Sequence, residues 1–229
     1  MKGVWEQTEA RAKTSAVLER LQKGDTLPTV ASDLRLEPAG LIAALAQAGL
    51  GDEDAAGAPP LVHGSPKRPW LRRALDEGAW SELVPHASRT SRLALAAGLL
   101  QIHDFWEDSH EAAQQADDLG ERAVSAYWHG IAHRREPDAG NASYWFRRVG
   151  RHSLFGPLGA AAQAILQSHG DPKLTGRLTP GGTWSPFAFI EFCGEARRDR
   201  GIEGLAKTLQ RLEMIALLGP TAEAAIADR

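Results

Sequence analysis

A chain of 229 residues, 43% hydrophobic and 24% charged, is long enough to bury one full-sized core with room for a small extra module, and its composition is that of a soluble globular protein. The formal net charge of −3 supplies no global attraction to nucleic acid or to an anionic membrane, so such binding would need a local basic patch. A single cysteine, Cys193, excludes an internal disulfide and a Cys-rich zinc site.

Helix formers dominate and period-2 runs of Val, Ile and Thr are nearly absent, so the expected fold is all-α. Residues 1–50 form a small three-helix module: Ser15–Lys23 ended by Gly24, Leu27–Leu34 with Pro28 in its first turn, and Pro38–Ala48 ended by Gly49. The pattern GDTLPTVASDLRLEPAGLIAALAQAGL resembles the helix-turn-helix modules of bacterial transcription factors. Its third helix, PAGLIAALAQA, offers Gln47 as its only polar side chain, too little to read bases or hold phosphates, so packing or partner docking is the expected role.

Residues 51–69 are a linker by composition, followed by the basic cluster Lys67, Arg68, Arg72 and Arg73 at a solvated helix start. Residues 70–229 form a larger, irregular helical bundle. Expected helices are Pro69–Glu77, Trp80–Ala87, Ser91–Asp117, Glu121–Arg135, Ala139–Val149, Pro157–Ser168, Pro186–Arg198 and Ile202–Leu218. Asp171–Ser185, rich in Pro and Gly, is expected to be a surface loop, and the tail PTAEAAIADR to fray.

Within Ser91–Asp117, Leu95, Leu99, Ile102 and Trp106 form a core stripe, and His103, Glu107, His110 and Gln114 follow one residue further round. Glu107-x-x-His110 has the spacing of carboxylate–imidazole metal sites in helical bundles. In the next helix His129 and His133 are four apart and share a face with Ser125 and Glu136, so two neutral imidazoles and a carboxylate are placed to hold one metal ion or move a proton. Gly130, mid-helix, points to a close approach by another backbone or a ligand. After the turn at Glu136-Pro137-Asp138, Asn141, Tyr144, Trp145 and Arg148 recur at helical spacing, an aromatic wall beside a bidentate anion fork.

The run YWHGIAHRREPDAGNASYWFRRVG, with HDFWEDSH upstream, resembles the signature of a family of bacterial and fungal proteins of unknown function that share an HRRE–D–N–YW core. The resemblance covers roughly Leu93 to Phe155, with weaker matches at WSPFAFIEFC and LQRLEM. It implies a helical domain and no particular reaction.

The C-terminal aromatics Trp184, Phe187, Phe189, Ile190 and Phe192 are expected in the core around an inert Cys193, and Leu205, Leu209, Leu212, Ile215 and Ala216 form the stripe of the last helix. No P-loop, G-x-G-x-x-G, G-x-S-x-G or H-E-x-x-H motif is present. The expectation is therefore a pocket between Ser91–Asp117 and Glu121–Arg135. His103, Glu107, His110, His129 and His133 would bind Zn, Fe or Mn there, with His129, His133 and Glu136 catalytic. Arg134, Asn141, Tyr144, Trp145 and Arg148 would bind a small anionic substrate. The rival expectation is a scaffold that holds a protein partner through an Arg-rich helical face and the N-terminal module. In that rival the Arg-rich face holds an acidic ligand, a peptide or nucleic acid, and nucleic acid is the least expected of these. No apolar run reaches the roughly 20 residues of a membrane span, and the start MKGVWEQTEARAK lacks a secretory h-region, so cytoplasm is the expected compartment.

Overall fold

The computed structural model of the chain describes residues 2–51 and 57–227, and every regular element among them is helical. The first three helices are α1 (Lys2–Gln22), α2 (Leu27–Leu34) and α3 (Pro38–Leu50). Thr26 caps α2 by accepting the N–H of Thr29, and Arg35 closes it in the left-handed conformation. Leu41, Ile42, Ala44, Leu45 and Leu50 of α3 are buried, and α3 packs against α1 as well as two helices of the larger bundle described below. Gln47, the one polar side chain expected to face outward, instead accepts a hydrogen bond from Thr14 of α1 at 2.8 Å. The third helix is therefore largely a core element, and its exposed residues, Ala39 and Ala43, carry no side chain that reads bases.

Residues 57–63 form a strap tied into the interior. Ala58 and Leu61 are buried, and the carbonyls of Pro59 and Pro60 accept Nε2–H groups of the buried Gln210. Pro60 also accepts from Arg135, whose own carbonyl receives the N–H of His63. Backbone carbonyls that composition alone would leave to water are answered here by buried side chains. Residues 52–56 of the expected linker lie outside the described residues.

Two short helices, α4 (Arg72–Leu75) and α5 (Glu77–Trp80), precede the bundle, and the expected helix over Trp80–Ala87 is a series of turns instead. The single long helix expected over Ser91–Asp117 is two: α6 (Arg89–Ile102) and α7 (Trp106–Asp118), folded back on each other. The break centres on Asp104 at φ 66°, a left-handed conformation that Asp tolerates better than most residues. The buried guanidinium of Arg135 holds the Asp104 carboxylate. Ser109 closes the hairpin by donating to the carbonyl of Ala97 at 2.8 Å.

A second hairpin joins α8 (Val124–Arg135) to α9 (Ala139–Val149), with Asp138 capping α9 through the N–H of Asn141. Gly130 lies where a Cβ would stand 2.9 Å from the Phe146 ring, so its position reflects close packing of α9 on α8.

The remainder comprises α10 (Phe155–His169), α11 (Pro172–Leu178), α12 (Pro186–Ala196) and α13 (Arg200–Ala227). The expected loop at 171–185 contains α11, started by Asp171, which accepts the N–H groups of Lys173 and Leu174, and anchored by buried Leu174 and Leu178. The last helix runs on to Ala227 with Ala225 buried, and its buried face includes Gln210, Glu213 and Met214, while Ile215 is exposed. α13 packs on α3, α6, α10 and α12, and one apolar cluster runs from Val17 through α6–α9 to Ala225. No helix of the described residues is long and apolar enough to cross a membrane.

Candidate metal centre

α7, α8 and α9 pack side by side, and small residues set how closely they approach: Ala112, Ala113 and Ala116 on α7, Ala126, Gly130 and Ala132 on α8, and Ala142 on α9 are all buried. Trp106 fixes the register of the first pair by donating its indole N–H to the carbonyl of Ala132 at 2.8 Å. This packing brings His110 of α7 onto the His129/His133 face of α8. The ring centroids are 4.2 Å apart for His110–His129 and 5.0 Å for both His110–His133 and His129–His133.

One ligand nitrogen from each of the three imidazoles lies within 4.8 Å of the others. Tetrahedral coordination at metal–nitrogen distances near 2.0–2.1 Å separates ligand nitrogens by about 3.3 Å. Closing the set on an ion therefore requires the nitrogens to draw together by up to about 1.5 Å.

The electrostatics suit neutral ligands. Burial, then the neighbouring His110, His133 and Arg148, pushes the His129 pKa down from 6.5 to about 3, and burial likewise lowers that of His110. Both rings therefore present lone pairs at neutral pH. Nδ1 of His129 is buried and finds no protein hydrogen-bond partner, an uncommon condition that calls for a water, an ion or a ligand. Nδ1–H of His133 donates to Glu136 at 2.8 Å, which leaves Nε2 as its free nitrogen. A carboxylate on the distal nitrogen of a metal-binding imidazole is the usual outer-shell arrangement. A second trio, His133, Glu136 and Asp138, also has ligand atoms within 4.8 Å of one another.

Aromatic rings surround the three histidines. Trp145 stacks on His129 at 3.7 Å with 15° between planes, and Tyr144, 48% exposed, meets its edge. Trp106 stacks on His110 at 5.2 Å and, on the other side, on His63 of the strap at 5.0 Å. Sequence reasoning did not find His63, which lies in the segment taken for a linker, and counted Trp106 as core.

Several expected site residues stand elsewhere. His103 caps the end of α6 and donates Nε2–H to the carbonyl of Leu45 at 2.9 Å. Glu107 is exposed in the first turn of α7 and belongs to neither trio. The correction for His103 follows from the break at Asp104, which takes it off the helix that carries His110, whereas Glu107 keeps its i,i+3 spacing to His110 within α7 and is turned to solvent.

Arg134 is 1% exposed on the opposite side of α8, with Nη2 at 2.5 Å from Glu213 and its guanidinium 4.5 Å from the Phe189 ring centre. No solvent-borne substrate reaches it there. Arg148 is close to the histidines but gives Nη2 to both carboxylate oxygens of Asp117, at 2.9 and 2.6 Å. Asn141 supports the α9 cap through Asp138. Arg134 and Arg135 are both buried, which leaves Arg147, Arg148 and Arg151 as the exposed arginines of the Arg-rich segment. Cys193 is buried among the aromatics and its thiol is pushed up to about 12 by that burial. No known protein family, curated protein or solved structure matches the chain.

Proposed function

We propose that this protein binds one divalent metal ion through His110, His129 and His133 and acts as a metal-dependent enzyme on a small substrate. The observation that carries the reading is the convergence of three imidazoles from two helices, with ligand nitrogens within 4.8 Å and one buried nitrogen that no protein group satisfies. Three neutral nitrogen ligands leave a coordination position open, as catalytic zinc sites do and closed structural sites do not. Among Zn, Fe and Mn, an all-imidazole set favours Zn or Fe over Mn, whose preference runs to oxygen donors. When bound, such an ion supplies a Lewis acid and a water ionisable near neutral pH.

The chain's own residues have separate tasks in this reading. Glu136 fixes the tautomer and orientation of His133. Trp145 and Trp106 hold His129 and His110 in place by stacking and exclude water from one side of each ring.

Metal content measured by elemental mass spectrometry tests the proposal, using untagged protein purified without chelator beside a His129→Ala/His133→Ala variant. The expected result is near one ion per parent chain and little in the variant, with matching circular dichroism spectra. No metal in the parent, even after loading with Zn, Fe and Mn, overturns it.

A further inference from the structure

The open position belongs to a ligand shell without charge. Three neutral imidazoles do nothing to offset a divalent ion, and the nearby carboxylates are already occupied. Glu136 accepts from His133, and Asp138 accepts from Asn141 through both oxygens at the start of α9. Such a centre favours an anionic group over a neutral one.

A fixed cation stands beside the rings. The Arg148 guanidinium lies over the Trp145 indole at 5.3 Å, and Trp145 stacks on His129 at 3.7 Å. Asp117, buried at the end of α7, accepts from Nη2 of Arg148 through both oxygens, and the Tyr144 phenol lies beside the same guanidinium. Asp117 thus orients the guanidinium through one nitrogen and leaves Nε and Nη1 to serve Tyr144 and a ligand, on a side chain 33% exposed. A donor held in place beforehand loses less entropy on binding than a free surface arginine. Arg147 and Arg151, exposed on α9 and just past its end, add to the positive field. Asp117 follows His110 by seven residues of α7, a rise of about 10 Å. A ligand that meets both the metal and Arg148 therefore carries its two functional groups at opposite ends.

Resting on the metal reading above, we infer that Arg148 sets the specificity of the site, which takes a small carboxylic acid whose carboxylate meets Arg148 while a donor atom at its other end reaches the metal. One guanidinium, already shared with Asp117, suits a singly charged carboxylate better than a phosphate, which draws on several donors. Of the arginines that the sequence offered for an anion, Arg148 takes the role and Arg134, paired inside the protein, does not.

The test keeps the metal donor constant and varies the tail. Full-length protein loaded with Co(II) is titrated with imidazol-1-ylacetate, imidazol-1-ylmethylphosphonate, 1-methylimidazole and 1-(2-aminoethyl)imidazole, following the visible d–d bands. Affinity is expected to fall in that order, with at least tenfold between the acetate and 1-methylimidazole. In Arg148→Gln/Asp117→Asn, which removes the pair without changing the net charge, that ratio should shrink fivefold or more. Arg148→Lys, which keeps the pair with Asp117 but has no second nitrogen, should lose in the same direction. Arg147→Gln/Arg151→Gln removes two charges yet should change the ratio less than twofold at physiological salt.

Equal or tighter binding of the amine or the phosphonate probe than of the acetate overturns the inference and leaves the metal centre standing. So does a ratio unchanged in both Arg148 variants, or one that Arg147→Gln/Arg151→Gln shrinks as far, since the selection would then be a diffuse field. No uptake of Co(II) by the parent removes the metal centre, and this inference with it, before any probe is added.

Discussion

On one face of α8, Tyr127 and Arg134 meet Glu213 in a closed interior; on the other, His129 and His133 meet His110 beneath a half-open surface. The closed side is largely answered by protein. Glu213 accepts from Tyr127 at 2.9 Å and from Trp184 at 3.1 Å, and its second oxygen neutralises Arg134 through an ionic contact that is not aligned as a hydrogen bond. The open side holds neutral rings, and its buried nitrogen has no protein partner. One helix thus carries a charged pair that anchors α8 to α13 on one face and neutral rings on the other. What separates them is charge and its compensation, since Arg134 Nε and Nη1 also lack hydrogen-bond partners.

The largest expected effect breaks the closed face. Glu213→Ala leaves a fully buried guanidinium without its counter-charge, a change that costs about 3–5 kcal/mol in comparable pairs. Urea denaturation should show that loss, and Arg134→Met/Glu213→Gln, which removes both charges and keeps an acceptor for Tyr127 and Trp184, should recover much of it. Equal losses in the single and double variants would mean the ion pair is not what α8 and α13 depend on.

Next in size is the pH dependence contributed by His103, which lies outside both sets. Burial pushes its pKa from 6.5 down to about 4, with the bond to Leu45 and the charge of Asp104 acting the other way and Arg68 reinforcing the shift. The unfolded chain therefore takes up this proton first. The stability that depends on neutral His103 is complete above pH 6.5, falls between 6.5 and 4, and is lost below that. A shift of that size corresponds to about 3 kcal/mol. Denaturation of metal-free protein across that window should show the slope, and His103→Gln, which retains a donor for Leu45, should flatten it.

The helical class, the α8–α9 hairpin, the limits of α2 and α9, and the His129/His133 pair follow from periodicity and capping residues that act within a few positions of one another. The division of α6 from α7 was not legible in that way. It depends on Asp104 adopting a left-handed conformation held by Arg135, 31 positions away, and local propensity carries no trace of that partner. The arginines failed for a related reason. HRRE looks like a cationic surface until Glu213, 79 positions after Arg134, and Pro60 and Gln101 against Arg135 are known. One signal was present: Glu213 follows Leu209 by four residues in the last helix, and a carboxylate on an apolar stripe needs a buried cation.

Gly130 sits where the two faces share α8, and Gly130→Ala should disturb both modestly. Alanine favours the helix by about 1 kcal/mol, whereas forcing a Cβ to 2.9 Å from Phe146 costs about 1–3 kcal/mol. A net loss of up to about 2 kcal/mol is expected in thermal melts, reduced when Phe146→Leu is added. Displacing α9 should also loosen Trp145 from His129, so indole fluorescence should change with the melting temperature.

The smallest expected effect isolates the open face. Glu136→Gln removes the charge that orients His133 while keeping a hydrogen-bond acceptor, and the residue is exposed, so folding stability should barely move. Metal affinity should fall about tenfold, the lower end for loss of an outer-shell carboxylate. Competition with a chelator of known affinity measures it. A loss of melting temperature with unchanged metal affinity would instead place Glu136 with the structural set and leave His133 oriented by packing against Trp106, His110 and His129.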